Sequence, residues 1–240
     1  MSRGSKGIYT VLITGILAGS LDLAVIGPAL PGIMQEFGLE SRSLSWVFSV
    51  YALFNLITLP VITGLADRYS KRTLLRTALL LFSLASLYTA LAPSFWHLLV
   101  ARAFTGISVS AIFPIAPSMI GDVVVPQRRG RALGLIGATF GIALIAGPLV
   151  SGFMLHWFSW NSLFLLTSSL GLVAFLASLA FLPAERHSDG QSLPWRSLLL
   201  VALLTGSIAL IISGTGWTSD SLTRYTLPAA TLIAIVSAFL

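Results

Sequence analysis

The chain lacks cysteine and has very little charge. Only 9% of its 240 residues are Asp, Glu, Lys or Arg, whereas soluble domains carry about 25%. Without cysteine, disulfide frameworks, thiolate metal sites and cysteine nucleophiles are excluded. The scarcity of charge excludes a water-soluble globule, because a soluble surface needs more ionised side chains than this sequence contains.

Apolar residues dominate the composition instead, at 56% of the chain and with a mean hydropathy of +0.93. A helix needs about 20 apolar residues to cross a hydrocarbon layer of roughly 30 Å. We therefore predict an all-α membrane protein, a multi-span helical bundle in a lipid bilayer, with no room for a soluble catalytic domain. The predicted spans lie at roughly residues 7–31, 43–65, 73–92, 96–121, 131–155, 160–182, 197–215 and 225–240, with polar connectors that include 35–42 and 122–131.

The longest polar connector, residues 183–196, divides the chain. We predict an N-terminal six-helix transmembrane bundle over 1–182, a cytoplasmic connector over 183–196, and two further spans of an incomplete second bundle over 197–240. The last apolar run offers about 15 residues, or roughly 22 Å of helix, which is short for a crossing. We expect the chain to be the truncated N-terminal portion of a longer protein.

Basic residues collect on one side of the predicted bundle. The positive-inside rule then predicts a cytoplasmic N-terminus in the cell (inner or plasma) membrane. The bases lie in separate short loops rather than on one solvated face, so we expect no nucleic-acid partner. Of the 14 Lys and Arg residues, the ones on the cytoplasmic side are Arg3, Lys6, Arg68, Lys71, Arg72, Arg76, Arg128, Arg129, Arg131, Arg186 and Arg196.

Two charged residues lie deep inside predicted spans, away from the span ends. Asp22 lies about 15 Å below the outer boundary of span one, and an ionised carboxylate at that depth needs a partner, water or a proton. Arg102 lies about 9 Å down span four and stays charged. We predict that the two helices face each other and that Arg102 modulates proton exchange at Asp22. The alternatives are that Asp22 only bonds a neighbouring helix and that Arg102 extends to the surface and braces the bundle.

Uncharged polar residues give weaker signals. Tyr51, Asn55 and Thr58 form a stripe on span two, which is compatible with a hydrated cavity or with ordinary bonds between helices. Thr105 and Ser108 share a face of span four with Arg102. We take Asn55, Thr105 and Ser108 as candidates for the substrate cavity.

Span five contains five residues that favour close packing or bending. Gly137 and Gly141 form a GxxxG pattern, which packing alone explains. Gly147 and Pro148 are expected to weaken the helix, and Gly152 follows. We predict a hinge here that is used in movement.

A proline pattern occurs twice. The pair Pro28 and Pro31 near the end of span one matches the pair Pro114 and Pro117 near the end of span four. These spans cross the bilayer in opposite senses, so the match is typical of a three-plus-three inverted repeat, although chance also explains it.

At these positions the sequence resembles the major facilitator superfamily, and its drug:proton antiporter branch in particular. Residues 64–72 (GLADRYSKR) resemble the cytoplasmic motif GxLaDrxGrk, with Ser70 in place of a glycine. Residues 98–106 (LLVARAFTG) resemble the span-four motif lxxxRxxqG. Residues 137–152 resemble the antiporter motif gxxxGPxxGG, and residues 21–31 (LDLAVIGPALP) are similar to lDxTivnvAlP.

The resemblance implies a six-helix N-terminal half plus two further spans of a protein of 12 or 14 spans, whose C-terminal half is missing here. It also implies that Arg102 takes part in proton transfer. The cytoplasmic motif of the family forms a charge clasp that holds the two halves closed. The matching gating residues are Gly64, Asp67, Arg68, Lys71 and Arg72.

The function predicted is secondary active transport: proton-coupled efflux (antiport) of a small hydrophobic or cationic compound by alternating access, with protons and substrate as partners. The alternative is a truncated, non-transporting fragment or assembly protein of the same family. An intramembrane hydrolase would need a nucleophile beside a base, but His97 and His156 lie at outer helix ends and His187 in a loop. We expect no enzyme activity, no cofactor and no metal.

Overall fold

The computed structural model describes residues 3–182, and within them it consists of six long helices. All six are long and apolar enough to cross a membrane. The predicted connector 183–196 and the two further spans over 197–240 lie outside the described residues. The helices are α1 (Arg3–Phe37), α2 (Ser41–Arg68), α3 (Lys71–Ala90), α4 (Phe95–Val123), α5 (Pro126–Trp157) and α6 (Asn161–Phe181).

The first six predicted spans are confirmed, but two predicted connectors are too long. Instead of 35–42, the first connector is three residues, because α1 ends at Phe37 and α2 begins at Ser41. Gly38 has φ +62° and ends α1 in the left-handed conformation that suits glycine, while Leu39 N donates to Met34 O at 3.1 Å. Hydropathy detects only the apolar stretch of a helix, so a prediction from hydropathy assigns the polar turns at the helix ends to loops.

The predicted connector 122–131 is also wrong in length. Only Val124 and Val125 separate α4 from α5. Pro126 begins α5, a position where proline is favoured because the missing N–H has no partner there in any case. The first turns of α5, which carry basic side chains, are therefore helical although they lie outside the apolar run.

Helix packing has an internal symmetry. α1 packs mainly against α5 and α6, whereas α4 packs mainly against α2 and α3. Exchanging helices one to three with helices four to six converts the first set of contacts into the second. This is the symmetry that a three-plus-three inverted repeat produces.

Two apolar clusters fill the bundle at different depths. One includes Leu12, Leu79 and Ile112, and the other includes Ile33, Leu98 and Phe164. In α1 the second cluster begins at Val25, after the first has ended at Ala18. Asp22 lies between these two positions, so its buried carboxylate is placed between the two apolar clusters.

Candidate functional site

An ion pair joins α1 to α4 in the middle of the bundle. Arg102 Nη1 donates to Asp22 Oδ2 at 2.8 Å, and both side chains are 0% exposed. The predicted proximity of the two residues is confirmed. Their complete burial contradicts the alternative in which Arg102 extends to the surface. The role of the pair in proton exchange stays a prediction.

The second carboxylate oxygen of Asp22 has two hydroxyl neighbours. Ser86 Oγ on α3 and Thr167 Oγ1 on α6 each lie 3.4 Å from Oδ1. Both hydroxyls are fully buried. Side chains from α3, α4 and α6 thus converge on one carboxylate of α1. Sequence reasoning missed both hydroxyls.

Two aromatic rings cover the Arg102 guanidinium. Arg102 Cζ lies 5.0 Å from the centroid of the Tyr51 ring on α2 and 5.7 Å from that of Phe164 on α6. Both distances are within the range of about 6 Å over which a cation is attracted to an aromatic face. Among the described residues, Arg102 Nε and Nη2 have no hydrogen-bond partner. The rings are therefore a main part of the environment of this buried charge.

The other candidate cavity residues bond within or between helices. Thr105 Oγ1 donates to Ala101 O at 2.9 Å, and Ser108 Oγ donates to Thr105 O at 2.7 Å. Both hydroxyls are thus satisfied by their own helix. Asn55 Nδ2 approaches Gly106 O at 3.5 Å, a long bond from α2 to α4. These contacts are those of ordinary helix packing.

Close approach of α2 and α4 at this level depends on a glycine. A Cβ atom at Gly106 would collide with the backbone carbonyl of Tyr51 and lie 3.1 Å from Asn55 N. Because only glycine allows this distance, the crossing of the two helices is fixed here. The crossing lies beside Arg102 and so brings the Tyr51 ring to the guanidinium.

Lys71 of the 64–72 motif forms an ion pair that the sequence did not indicate. Lys71 Nζ at the start of α3 lies 2.8 Å from Asp122 Oδ2 near the end of α4. Asp122 was not among the predicted gating residues, since no spacing rule links it to Lys71. The structure does not describe the side chains of Asp67 and Arg68. Lys71 of the predicted clasp thus pairs with an acid outside the predicted set, and the clasp itself stays a prediction.

Ser70 fits its position without strain. Its φ of −55° is ordinary for any residue, and its hydroxyl accepts from Thr73 N at 3.5 Å as the N-cap of α3. A serine in this role is a favoured way to begin a helix. The serine in place of the motif's glycine is thus accommodated as a helix cap.

The predicted span-five hinge residues divide into two groups. Gly147 packs directly on Ala24 of α1. A Cβ atom at Gly137, Gly141 or Gly152 would meet no atom of the described residues within 4 Å. α5 runs without interruption through Pro148, so the prolyl residue removes one backbone bond but does not end the helix. Bending here stays a prediction.

Comparison with known proteins identifies the family. Residues 12–240 match the Major Facilitator Superfamily. The MFS-type transporter YfiU of Bacillus subtilis is 29% identical over 202 residues, which cover 84% of this chain and 39% of YfiU. The multidrug transporter protein MdtP of the same organism is 26% identical, over 98% of this chain and 44% of MdtP. The chain thus spans less than half the length of these curated relatives.

A solved structure confirms the fold. The human organic anion transporter MFSD10 (TETRAN) has a TM-score of 0.68 with 18% sequence identity, over 93% of this chain and 59% of that protein. The match of nearly the whole chain to one family, together with six membrane-length helices, leads to one conclusion. The chain belongs to the major facilitator superfamily of multi-pass membrane transporters.

Proposed function

We propose that the whole protein is a proton-coupled antiporter that exports a small hydrophobic or cationic compound. The observation that carries this proposal is the fully buried ion pair between Asp22 and Arg102. Arginine keeps its proton under all ordinary conditions, so the carboxylate is the member of the pair that can exchange one. The relative MdtP, which is named as a multidrug transporter, supports the class of substrate.

Proton binding would change the forces between four helices at once. With Asp22 ionised, its carboxylate attracts Arg102 and accepts from the hydroxyls on α3 and α6. Loss of one partner of a buried ion pair costs about 3–5 kcal/mol. A proton on Asp22 therefore favours any arrangement of the helices in which Arg102 finds other partners. Transport follows if inward-open and outward-open states differ in their affinity for this proton and for substrate.

The substrate would bind next to the buried ion pair of Asp22 and Arg102 rather than between the two side chains. We propose Asn55, which is only partly buried, as the polar group on the substrate side of the α2 and α4 crossing. Thr105 and Ser108 would support the same face of α4. The bend predicted at Gly137, Gly141, Gly147, Pro148 and Gly152 would allow α5 to follow α1 during the switch.

The cytoplasmic residues would set the inward-closed state. Lys71 holds the start of α3 to the end of α4 through Asp122, and we propose that Gly64, Asp67, Arg68 and Arg72 complete the closure toward the second half of the protein. This assignment requires a cytoplasmic N-terminus in the cell membrane, as the distribution of basic residues predicts.

Export driven by a pH gradient tests the proposal. In everted vesicles that contain the protein as the cell makes it, acidification of the lumen is expected to drive accumulation of ethidium. Asp22→Asn keeps the size and polarity of the side chain but cannot exchange a proton. The part of the ethidium accumulation that depends on the pH gradient is therefore expected to fall at least tenfold.

Glu40→Gln is the matched control, because Glu40 is an exposed carboxylate in the loop before α2. This variant is expected to respond to the gradient as the unmodified protein does. Gradient-driven accumulation that survives Asp22→Asn at equal protein levels would remove Asp22 from the mechanism.

A further inference from the structure

Arg102 has an unusual set of partners for a buried cation. Its side chain is 0% exposed, and it makes one charge-assisted hydrogen bond, to Asp22. Its Nε and Nη2 atoms have no hydrogen-bond partner among the described residues. A guanidinium has five N–H donors, and buried donors normally find acceptors. The surroundings must therefore stabilise this charge in another way.

The two rings supply that stabilisation from two helices. Tyr51 approaches from α2 and Phe164 from α6, at 5.0 Å and 5.7 Å from Arg102 Cζ. An aromatic face attracts a cation through the ring quadrupole, and this attraction strengthens where water is excluded. It depends on the cation and not on the charge state of Asp22. The rings therefore remain partners of Arg102 after Asp22 takes a proton, and they then supply a larger share of its stabilisation because the carboxylate charge is gone.

The positions of the rings are fixed by contacts that do not involve Asp22. Phe164 packs edge-on against Trp160, with ring centroids 5.9 Å apart. Trp160 Nε1 in turn donates to Glu36 Oε2 at 2.6 Å. The backbone of Tyr51 is held against Gly106. Neither ring needs the ion pair to stay where it is.

We propose that Tyr51 and Phe164 are positioning residues that hold the Arg102 guanidinium in place when Asp22 is neutral. The inference rests on the proposed proton exchange at Asp22 for its role in transport. The groups that act on the carboxylate are Arg102 from α4, Ser86 from α3, Thr167 from α6 and, through an electrostatic interaction, the Tyr51 hydroxyl from α2. Of these only Arg102 carries a charge, so no other described cation can replace it.

A thermal double-mutant cycle tests the contact without any transport assay. Phe164→Leu removes the ring and keeps an apolar side chain, and Asp22→Asn makes position 22 neutral. The melting temperature is expected to fall by about 2–4 °C more on Phe164→Leu in the Asp22→Asn background than in the unmodified protein. An equal or smaller fall in that background would overturn the proposal, because Arg102 would then not depend on the ring when Asp22 is neutral.

Phenylalanine analogues with increasing ring fluorination separate the ring charge from ring shape. Fluorine withdraws electrons from the face of the ring, so stability in the Asp22→Asn background is expected to fall steadily with each added fluorine at position 164. The same analogues at Phe82, a fully buried ring of α3 that packs near Gly171, are the control and are expected to show no such trend. A flat series at position 164 would also overturn the proposal.

The pH profile of transport links the contact to function. Without the ring, a neutral Asp22 leaves Arg102 with fewer partners, so Phe164→Leu and Tyr51→Leu are expected to shift the profile toward lower pH. Phe164→Tyr and Tyr51→Phe keep a ring and are expected to restore it. A profile that Asp22→Asn abolishes but that ring removal leaves unchanged would overturn the ring proposal alone. The proposed function alone would be overturned by a different pair of results. The melting temperature would show the expected extra fall on Phe164→Leu in the Asp22→Asn background, but transport by Asp22→Asn would still be driven by the proton gradient.

Discussion

At the scale of the residue, Asp22 and Arg102 form a pair whose members depend on each other. Burial of either charge alone is costly, since an ion that leaves water loses several kcal/mol, about as much as the whole pair recovers. Each side chain is 0% exposed, so bulk solvent does not reach either charge. A site of this kind responds strongly when one of the two charges disappears.

Removal of both charges is expected to be milder than removal of one. Arg102→Met leaves an unpaired carboxylate and is expected to cost about 3–5 kcal/mol of unfolding free energy. The double variant Asp22→Asn with Arg102→Met is expected to regain more than half of that loss, because no buried charge remains. Chemical unfolding in detergent measures the free energy of unfolding of each variant. If the loss in the double variant equals the sum of the losses in the two single variants, a direct interaction is contradicted.

At the scale of the element, the crossing of α2 and α4 sets the geometry around Arg102. The backbones meet at Gly106, where a side chain has no room beside the Tyr51 carbonyl. The crossing holds the Tyr51 ring near the guanidinium, 5.0 Å from Cζ. A change in the spacing of α2 and α4 is therefore expected to alter the surroundings of the ion pair as well as the stability of the bundle.

Gly106→Ala is expected to destabilise the bundle and reduce transport together, because the added methyl group forces α2 away from α4. Overpacking of this kind costs about 1–3 kcal/mol. Gly130→Ala is the matched control, since a Cβ at Gly130 meets no described atom within 4 Å, and it is expected to be neutral or slightly stabilising. Equal effects of the two changes on melting temperature would contradict the close crossing.

The ends of α3 and α4 that are predicted to face the cytoplasm are joined by a more exposed contact. The side chains of Lys71 and Asp122 are 29% and 58% exposed, so this pair is worth only about 0–1 kcal/mol to stability. Its expected importance lies in the balance between open and closed states. Small energies suffice there, because about 1.4 kcal/mol changes a population ratio tenfold.

Charge reversal tests this role. Lys71→Asp is expected to lower transport several-fold with little change in melting temperature, and addition of Asp122→Lys is expected to restore part of the activity. Arg128→Glu reverses an exposed charge in the first turn of α5 and serves as a control for the local potential. Failure of the double variant to recover would show that the two residues do not act as a pair.

At the scale of the whole molecule, six alternating helices place Lys71 and Asp122 at one end of the bundle and Glu36 and Trp160 at the other. The excess of basic residues near the first end predicts that it faces the cytoplasm. The ion pair between Asp22 and Arg102 then lies between the two surfaces and is buried from both.

The lack of native cysteine makes this orientation simple to measure. Single replacements Glu40→Cys and Ser159→Cys in the loops at the Trp160 end are expected to react with a membrane-impermeant thiol reagent on intact cells. Gln127→Cys at the other end is expected to react only after the cells are opened. The reverse pattern would contradict a cytoplasmic N-terminus.

Much of this architecture could be predicted from the sequence, because hydropathy and charge act along a single helix. The proximity of Asp22 and Arg102 followed from their similar depth and from the cost of isolated charges in lipid. Ser86, Thr167 and Phe164 could not be predicted in the same way. Serine, threonine and phenylalanine are common within spans, and their importance depends on which helices are neighbours.

The same limit applies to Asp122 and to the helix ends. Lys71 and Asp122 are 51 positions apart, and only the packing of α3 on α4 brings them together. Likewise the basic first turns of α5 are helical because Pro126 starts the helix, although their hydropathy is that of a loop.

Proton release on substrate binding tests the central claim most directly. In the purified, weakly buffered protein, addition of tetraphenylphosphonium is expected to release protons that a pH indicator detects, with Glu40→Gln equal to the unmodified protein. Asp22→Asn is expected to bind the cation and release none. Undiminished proton release from Asp22→Asn would contradict the account, because the exchanged proton would then reside elsewhere.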